Sequence, residues 1–211
     1  MKYLFIDTAT HDLTIALASD DKVISAATSN NTNEHSKYAL VELEDVFKKA
    51  ELKPDDIDKV LVVNGPGSFT GVRIGVTIAK TYAWALKKDI IPVSSLLAHA
   101  LSYDEHDYYV SVLDARRESV YAAVYDRNYK EVLEEQYISI DKLYDFISTL
   151  KGDIIVIGDT NIKNYENESI KIDVLKVINH YKEGQPVPAH SLNPRYLKLV
   201  EAEEKLMEAG K

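Results

Sequence analysis

The sequence predicts an α/β chain of two related lobes, each a mixed sheet flanked by helices. Three observations carry this. Both halves open with three short strand-like runs joined by brief connections, the pattern of an antiparallel meander. Both then pass into helix–strand units, which extend a sheet by crossover. The 211 residues are ample for one large domain or two small lobes with real cores. The halves share a scheme rather than a repeated sequence, with the lobes expected at 1–102 and 103–211.

In the first half, Tyr3 to Ile6, Leu13 to Ala18 and Val23 to Ala27 read as strands, with turns at His11-Asp12 and Ser19-Asp-Asp21. Asn30 to Asn33 is polar and reads as loop. Ser36 or Asn33 is placed to cap a helix running to about Ala50. On that helix Ala39, Leu43, Val46, Phe47 and Ala50 share a face. Tyr38, Leu40 and Val41 widen the apolar surface beyond one core contact. Lys59 to Val63 is a β-branched run that reads as a buried strand, and Gly65-Pro-Gly67 is the turn after it. A helix follows over Val72 to Lys88, capped by Ser68 or Thr70. Ile90 to Val93 is a short strand, with Ser94 or Ser95 capping a helix through Leu101.

The composition turns polar around Ser102 to Asp107, where the lobe boundary is expected. Strands are predicted at Tyr109 to Leu113, Ser119 to Tyr125 and about Gln136 to Ile140. A helix over Asp141 to Leu150 and a strand over Ile154 to Ile157 come next. A weaker mixed region reaches Gly184. Pro186 to Pro188 reads as extended, and Asn193 to Leu197 leads into a charged helix ending near Met207.

The helix after the glycine turn carries Gly71, Gly75, Ala79 and Ala83 at every fourth position, a ridge that lets another helix approach closely. Val72, Ile74, Val76, Ile78, Tyr82, Trp84 and Leu86 spread over the rest of its circumference. A helix this apolar is buried on more than one side. One side can face its own sheet, and the other a second domain or a second protein.

Net charge is −9 and the pI about 5.2, a poor balance for a lone nucleic-acid binder. The absence of cysteine excludes disulfides, thiolate metal sites and Cys nucleophiles, and fits a cytoplasmic chain. The N-terminal apolar run is too short for a signal peptide, and no stretch approaches the ~18 apolar residues of a membrane span.

The glycine turn at a helix start can hold an anion or can simply be a tight turn. It is neither a Walker A loop nor a dinucleotide fingerprint, because no Gly-Lys-Ser/Thr follows and Thr70 stands where the third glycine would be. Asp7, followed by Thr8 and Thr10, can act as a base, bind a metal–phosphate, or bond locally as a turn aspartate. Asp114-Ala-Arg-Arg117 sits between two strands, where Arg116 and Arg117 can hold a phosphate or carboxylate or simply be solvated. The histidines at 11, 35, 99, 106, 180 and 190 form no zinc motif, so no metal is expected. Ser94-Ser95 lacks the nucleophile-elbow glycines. Tyr103, Tyr108, Tyr109, Tyr121 and Tyr125 cluster on the second lobe's strands, where half-buried packing competes with a base-stacking platform.

Gly65-Pro-Gly-Ser-Phe-Thr-Gly-Val-Arg-Ile-Gly75 closely resembles the signature of the TsaB (YeaZ) family of tRNA threonylcarbamoyladenosine biosynthesis proteins. Asp7 to Thr10, Leu113 to Tyr121 and Pro194 to Leu197 resemble further family segments in the same order. The motif residues so matched are Asp7, Thr8, Gly65, Pro66, Gly67, Ser68, Phe69, Thr70, Arg73, Asp114, Arg116 and Arg117. The resemblance implies an actin/Hsp70-like (ASKHA) fold of two ribonuclease-H-like lobes. It also implies a non-catalytic subunit, without cofactor, that activates the related transferase TsaD. The ATPase TsaE would join through that assembly, and tRNA only indirectly. TsaD carries a metal-binding His-x-x-x-His. Ser95 and His99 fall at its two positions here, and one imidazole cannot hold that site. The family pairs through two helices, corresponding here to about 35–50 and 70–86, and can also self-pair as a homodimer. The interface this implies comprises Tyr38, Val41, Gly71, Ile74, Gly75, Ile78, Ala79, Tyr82 and Ala83. The rival readings are a small-molecule kinase of the same fold using Asp7 and Thr8, and a metallopeptidase-like enzyme.

Overall fold

Two five-stranded mixed sheets, built on the same plan, form the frame of the molecule. The structure is a computed structural model that describes residues 1–29 and 35–198. The loop expected at Asn30 to Asn33, the Asn33 cap and the charged helix toward Met207 lie outside what it describes, and Ser36 is not a cap, because the helix has already begun at His35.

In the first sheet β1 (Lys2–Asp7), β2 (Leu13–Ser19) and β3 (Val23–Ser29) form the antiparallel meander. Then α1 (His35–Ala50) crosses to β4 (Lys59–Gly65), and α2 (Phe69–Leu86) to β5 (Asp89–Ser94). Both added strands lie parallel to β1, giving the order β3-β2-β1-β4-β5. The second sheet repeats this. β6 (Tyr108–Asp114), β7 (Ser119–Asp126) and β8 (Glu131–Ser139) form its meander. Helix α4 (Ile140–Ile147) leads to β9 (Ile154–Gly158), which pairs parallel with β6, and β10 (Asn167–Glu168) pairs parallel with β9. Read from β8, the order is β8-β7-β6-β9-β10, the first sheet's order again. Each half thus has the strand order of a ribonuclease-H-like lobe, the doubled plan expected of an actin/Hsp70-like fold.

Two helices cross between the halves. Helix α3 (Ser95–Ala100) follows the first sheet, yet Leu96 and Ala100 pack with Tyr103, Tyr109 and Tyr125 of the second half. Helix α5 (Val174–Tyr181) follows the second sheet, yet Val174, Val177 and Ile178 join the first sheet's core. Val187 pairs with Ile90 at the first sheet's edge, and Leu192 is buried in the same core. Thus residues 173–192 are welded to the first sheet by apolar burial, worth about 1.5–3 kcal/mol per large side chain.

Most predicted elements match, and the differences have physical causes. Helix α2 starts at Phe69, three residues early, because Ser68 is its N-cap and accepts the Gly71 N–H at 3.2 Å. It ends at Leu86, where Lys87 turns left-handed at φ 52°. β8 starts at Glu131 rather than Gln136; as an edge strand it tolerates the charges that hid it. Helix α5 fell in the region read as mixed, since Val174, Val177 and Ile178 favour strand by propensity. Their spacing, continued by Tyr181, is that of one helical face.

Candidate functional site

Helices α1 and α2 lie side by side on one face of the first sheet, where Phe47 stacks on Tyr82 with centroids 6.2 Å apart. The Tyr82 hydroxyl donates to the Pro54 carbonyl at 2.5 Å, which fixes the ring. Ala39, Val46 and Phe47 of α1 and Val72, Val76, Ala79 and Ala83 of α2 face the core. What remains outside is apolar in part: Trp84 is 74% exposed, Leu40 61% and Val41 52%. Tyr38, Ile74, Ile78 and Tyr82 are half-buried beside them.

The small-residue ridge points the other way from the reading that made it a partner-binding seam. Gly71, Gly75, Ala79 and Ala83 are all buried beneath α2, on the molecule's own first sheet. A Cβ on Gly71 would stand 2.1 Å from the Thr8 carbonyl oxygen, and one on Gly75 2.4 Å from Thr8 Oγ1. The close approach those residues permit is therefore of α2 to β1, and they are removed from the accessible surface. Sequence periodicity could not tell which neighbour the ridge faces, because a row of small side chains suits a close sheet as well as a second helix.

The signature turn is held from three directions. The Ser68 N–H donates to the Ala9 carbonyl at 2.7 Å, and Gly67 passes so close to Ala9 that a Cβ would sit 2.3 Å from its carbonyl oxygen. Thr8 donates to the Gly71 carbonyl at 2.7 Å and accepts from the Gly75 N–H at 3.0 Å. Gly65, at φ 119°, lies under the backbone of Arg195, whose N–H donates to the Asn64 carbonyl at 2.7 Å. Ser95 on α3 donates to the Pro66 carbonyl.

The turn forms one wall of a cleft of ≈ 650 Å³ between the lobes. Thr10, His11, Gly67, Ser68, Phe69 and Thr70 line the first-lobe side, and Asp114, Ala115, Arg116, Tyr121 and Asp159 the second. Its carboxylates are engaged by backbone. Asp114 accepts the Arg116 N–H at 2.8 Å, and Asp159 accepts the Asp114 N–H at 3.1 Å. Arg116, Arg117 and Glu118 all adopt left-handed backbone conformations in the β6–β7 hairpin. Behind the wall, Asp7 is buried and accepts the Ala9 N–H at 2.8 Å, the local bond of a turn aspartate. Burial pushes its carboxyl up to about 6 despite that bond, and the Asp12 charge adds to the rise.

His99 is fully buried on α3, with neither ring nitrogen hydrogen-bonded, and burial pushes it down to about 4. Ser95, one turn earlier, is also fully buried. Among the described residues no group of three His, Asp or Glu is placed to hold a metal ion, and no helix is long and apolar enough to cross a membrane. Tyr103, Tyr109 and Tyr125 are buried in the second half, and Tyr109 stacks on Tyr129 at 5.1 Å, so the tyrosine cluster is chiefly packing.

Residues 22–184 match the family model described as TsaD, tRNA N6-adenosine threonylcarbamoyltransferase. The tRNA threonylcarbamoyladenosine biosynthesis protein TsaB of Bacillus subtilis is 35% identical over 100% of both chains. That of Escherichia coli is 31% identical over 75% of this chain and 71% of its own. In structure, YeaZ from Pseudomonas aeruginosa superimposes with a TM-score of 0.73, covering 93% of this chain and 99% of that one, at 18% identity. The chain therefore belongs to the wider family described by the TsaD model and, within it, to the TsaB family of tRNA threonylcarbamoyladenosine biosynthesis proteins.

Proposed function

We propose that this chain is a non-catalytic partner that binds TsaD through the outer faces of α1 and α2 and favours TsaD's active arrangement. The observation that carries the reading is the exposed apolar surface on two neighbouring helices, Leu40 and Val41 on α1 and Trp84 on α2. Water-exposed side chains of this size on adjacent helices gain free energy when a second helical surface covers them. The partner acts by population shift, so it must bind the active arrangement of TsaD more tightly than the inactive one. The same surface pairs two copies of this chain when TsaD is absent. TsaE joins through the TsaB–TsaD assembly, and tRNA contacts are indirect, in keeping with the net charge of −9.

The cleft weighs against the rival kinase reading. Arg116 lines the cleft beside Asp114 and Asp159, but Asp7, which that reading needs at the phosphate, is buried and already bonded to Ala9. The metallopeptidase reading loses its nearest candidate, because Ser95 and His99 are both buried.

The test is an omission assay. Purified TsaD, TsaE and the threonylcarbamoyl-adenylate synthase receive ATP, threonine, bicarbonate and unmodified tRNA, with and without this chain. Modification only in its presence is the expected result. Modification at the same rate without it sinks the reading.

A further inference from the structure

A nearly buried carboxylate, Glu135, joins three parts of the molecule that the backbone leaves far apart in sequence. It sits on β8 of the second sheet, and its side chain is only 3% exposed. One oxygen accepts from the Tyr125 hydroxyl at 2.9 Å and from the hydroxyl of Ser94, the last residue of β5 in the first sheet. The other accepts from Arg195 at 2.5 Å. The Tyr181 hydroxyl of α5 reaches the same junction and accepts the Ser94 N–H at 3.2 Å. Ser94 is also the N-cap of α3, accepting the Leu97 N–H at 3.3 Å. A buried carboxylate with a full set of charged and neutral donors holds its neighbours in one geometry, because removing a donor strands a charge.

Arg195 belongs to a strap, residues 193–198, that crosses the signature turn. Its backbone bonds Asn64, and Asn64 donates its side-chain amide to the Asn193 carbonyl at 3.2 Å. The next residue, Tyr196, is fastened to the start of α2. Its hydroxyl accepts from Arg73 Nε at 2.7 Å, its ring stacks on Phe69 at 5.4 Å, and the Arg73 guanidinium lies 3.7 Å from the Phe69 ring centre. Lys198 then reaches back to the second sheet, with its ammonium 4.6 Å from the Tyr137 ring centre. Successive strap residues thus hold the second lobe and the first helix turn of the first lobe in alternation.

We propose that Glu135 and this strap form an interlobe lock that sets the cleft at one fixed opening. Hinged lobes need a few chain connections free to absorb rotation. Here the strap spans the gap and is tied on both sides, so rotation must break the Arg195–Glu135 pair or lift Tyr196 from Arg73. Releasing the strap leaves the Ser94–Glu135 bond as the lock's remaining tie and frees the lobes to rotate about it. The proposal concerns this chain alone and does not depend on the partner reading.

The test exploits the absence of native cysteine. His11→Cys and Ala115→Cys, on opposite walls of the cleft, are introduced together into the full chain and spin-labelled. Pulsed dipolar spectroscopy then reads the distance across the cleft. A single narrow distribution is expected with the lock intact. Arg195→Ala combined with Tyr196→Ala should widen and displace it, and Glu135→Gln should do so in part. The strap positions are partly or well exposed, so the strap variant tests the lock even if Glu135→Gln fails to fold. A distribution that is already broad with the lock intact overturns the proposal. So does an unchanged distribution in a strap variant whose circular dichroism is native.

Discussion

Thr8 occupies the notch left by the missing side chain of Gly75. Its hydroxyl accepts the Gly75 N–H at 3.0 Å and donates to the Gly71 carbonyl at 2.7 Å. Those are the two groups that an undisturbed helix would join to each other. The strand end is thereby threaded into the backbone ladder of α2, and only a glycine leaves room for it.

This makes the two glycines differ in a measurable way. Gly75→Ala places a Cβ against Thr8 Oγ1, and Thr8→Ala removes that obstacle. Each single change should destabilise, Thr8→Ala by ~1–3 kcal/mol for the buried bonds it disrupts. The double variant should be less damaged than the sum, with a coupling of at least ~0.5 kcal/mol in urea unfolding. Gly71→Ala meets the Thr8 backbone carbonyl instead, so Thr8→Ala should give no rescue there. Equal coupling at both glycines would contradict this picture. Gly75→Leu should disrupt the fold rather than only a partner contact, because its side chain would be driven into Thr8 beneath α2.

The partner surface is better probed where it is exposed. Trp84→Ala and Val41→Asp alter side chains that are mostly in water, so their cost to stability should stay within ~0.5 kcal/mol. If TsaD covers them, each should weaken binding at least about ten-fold, or ~1.4 kcal/mol. Titration calorimetry of each variant with TsaD reads this directly. Unchanged affinity for both variants would place the interface elsewhere.

The two-lobe plan and the glycine turn could be read from the sequence because they rest on local signals: strand-length apolar runs, glycine and proline at a strand end, hydroxyl residues before helices. What the sequence hid depends on which side of an element meets what. The Gly71–Ala83 ridge has the right period for a helix seam, but period carries no direction, and Thr8 lies 63 residues before Gly71. The roles of Glu135 and Arg195 were hidden for the same reason. Their contact spans 60 residues, and each alone reads as a solvated charge. Helix α5 shows a different failure: β-branched residues masked a helical spacing that was present.

The Ser95 and His99 positions allow a direct check on the metal question. Ser95 is fully buried, and its hydroxyl donates to the Pro66 carbonyl beneath the signature turn. Ser95→His would restore the two-histidine spacing but must push an imidazole into a packed site, costing ~1–3 kcal/mol. Lower thermal stability with no zinc retained after dialysis is the expected result. Stoichiometric zinc in the folded variant would show that the site needs only its missing ligand.

The acid side of the stability curve should carry opposite contributions from Asp7 and His99. Burial raises Asp7 from its ordinary 3.8 to about 6, so the fold favours its protonated form. Its favourable contribution is full below pH 3.8 and is lost as pH rises through 6. His99 is lowered from 6.5 to about 4, so the fold favours its neutral form. That contribution is full above pH 6.5 and is lost as pH falls toward 4. Asp7→Asn keeps an acceptor for the Ala9 N–H and removes the buried charge. A displacement from 3.8 to about 6, at ~1.4 kcal/mol per pH unit, puts its gain near pH 7 at about 3 kcal/mol, falling to about 0.5 kcal/mol near pH 4. His99→Leu forfeits no hydrogen bond among the described residues and should flatten the loss of stability between pH 6.5 and 4. Unfolding midpoints across that range read both effects. An Asp7→Asn variant no more stable than the parent near pH 7 would show that the burial cost at Asp7 is already offset in the ionised state.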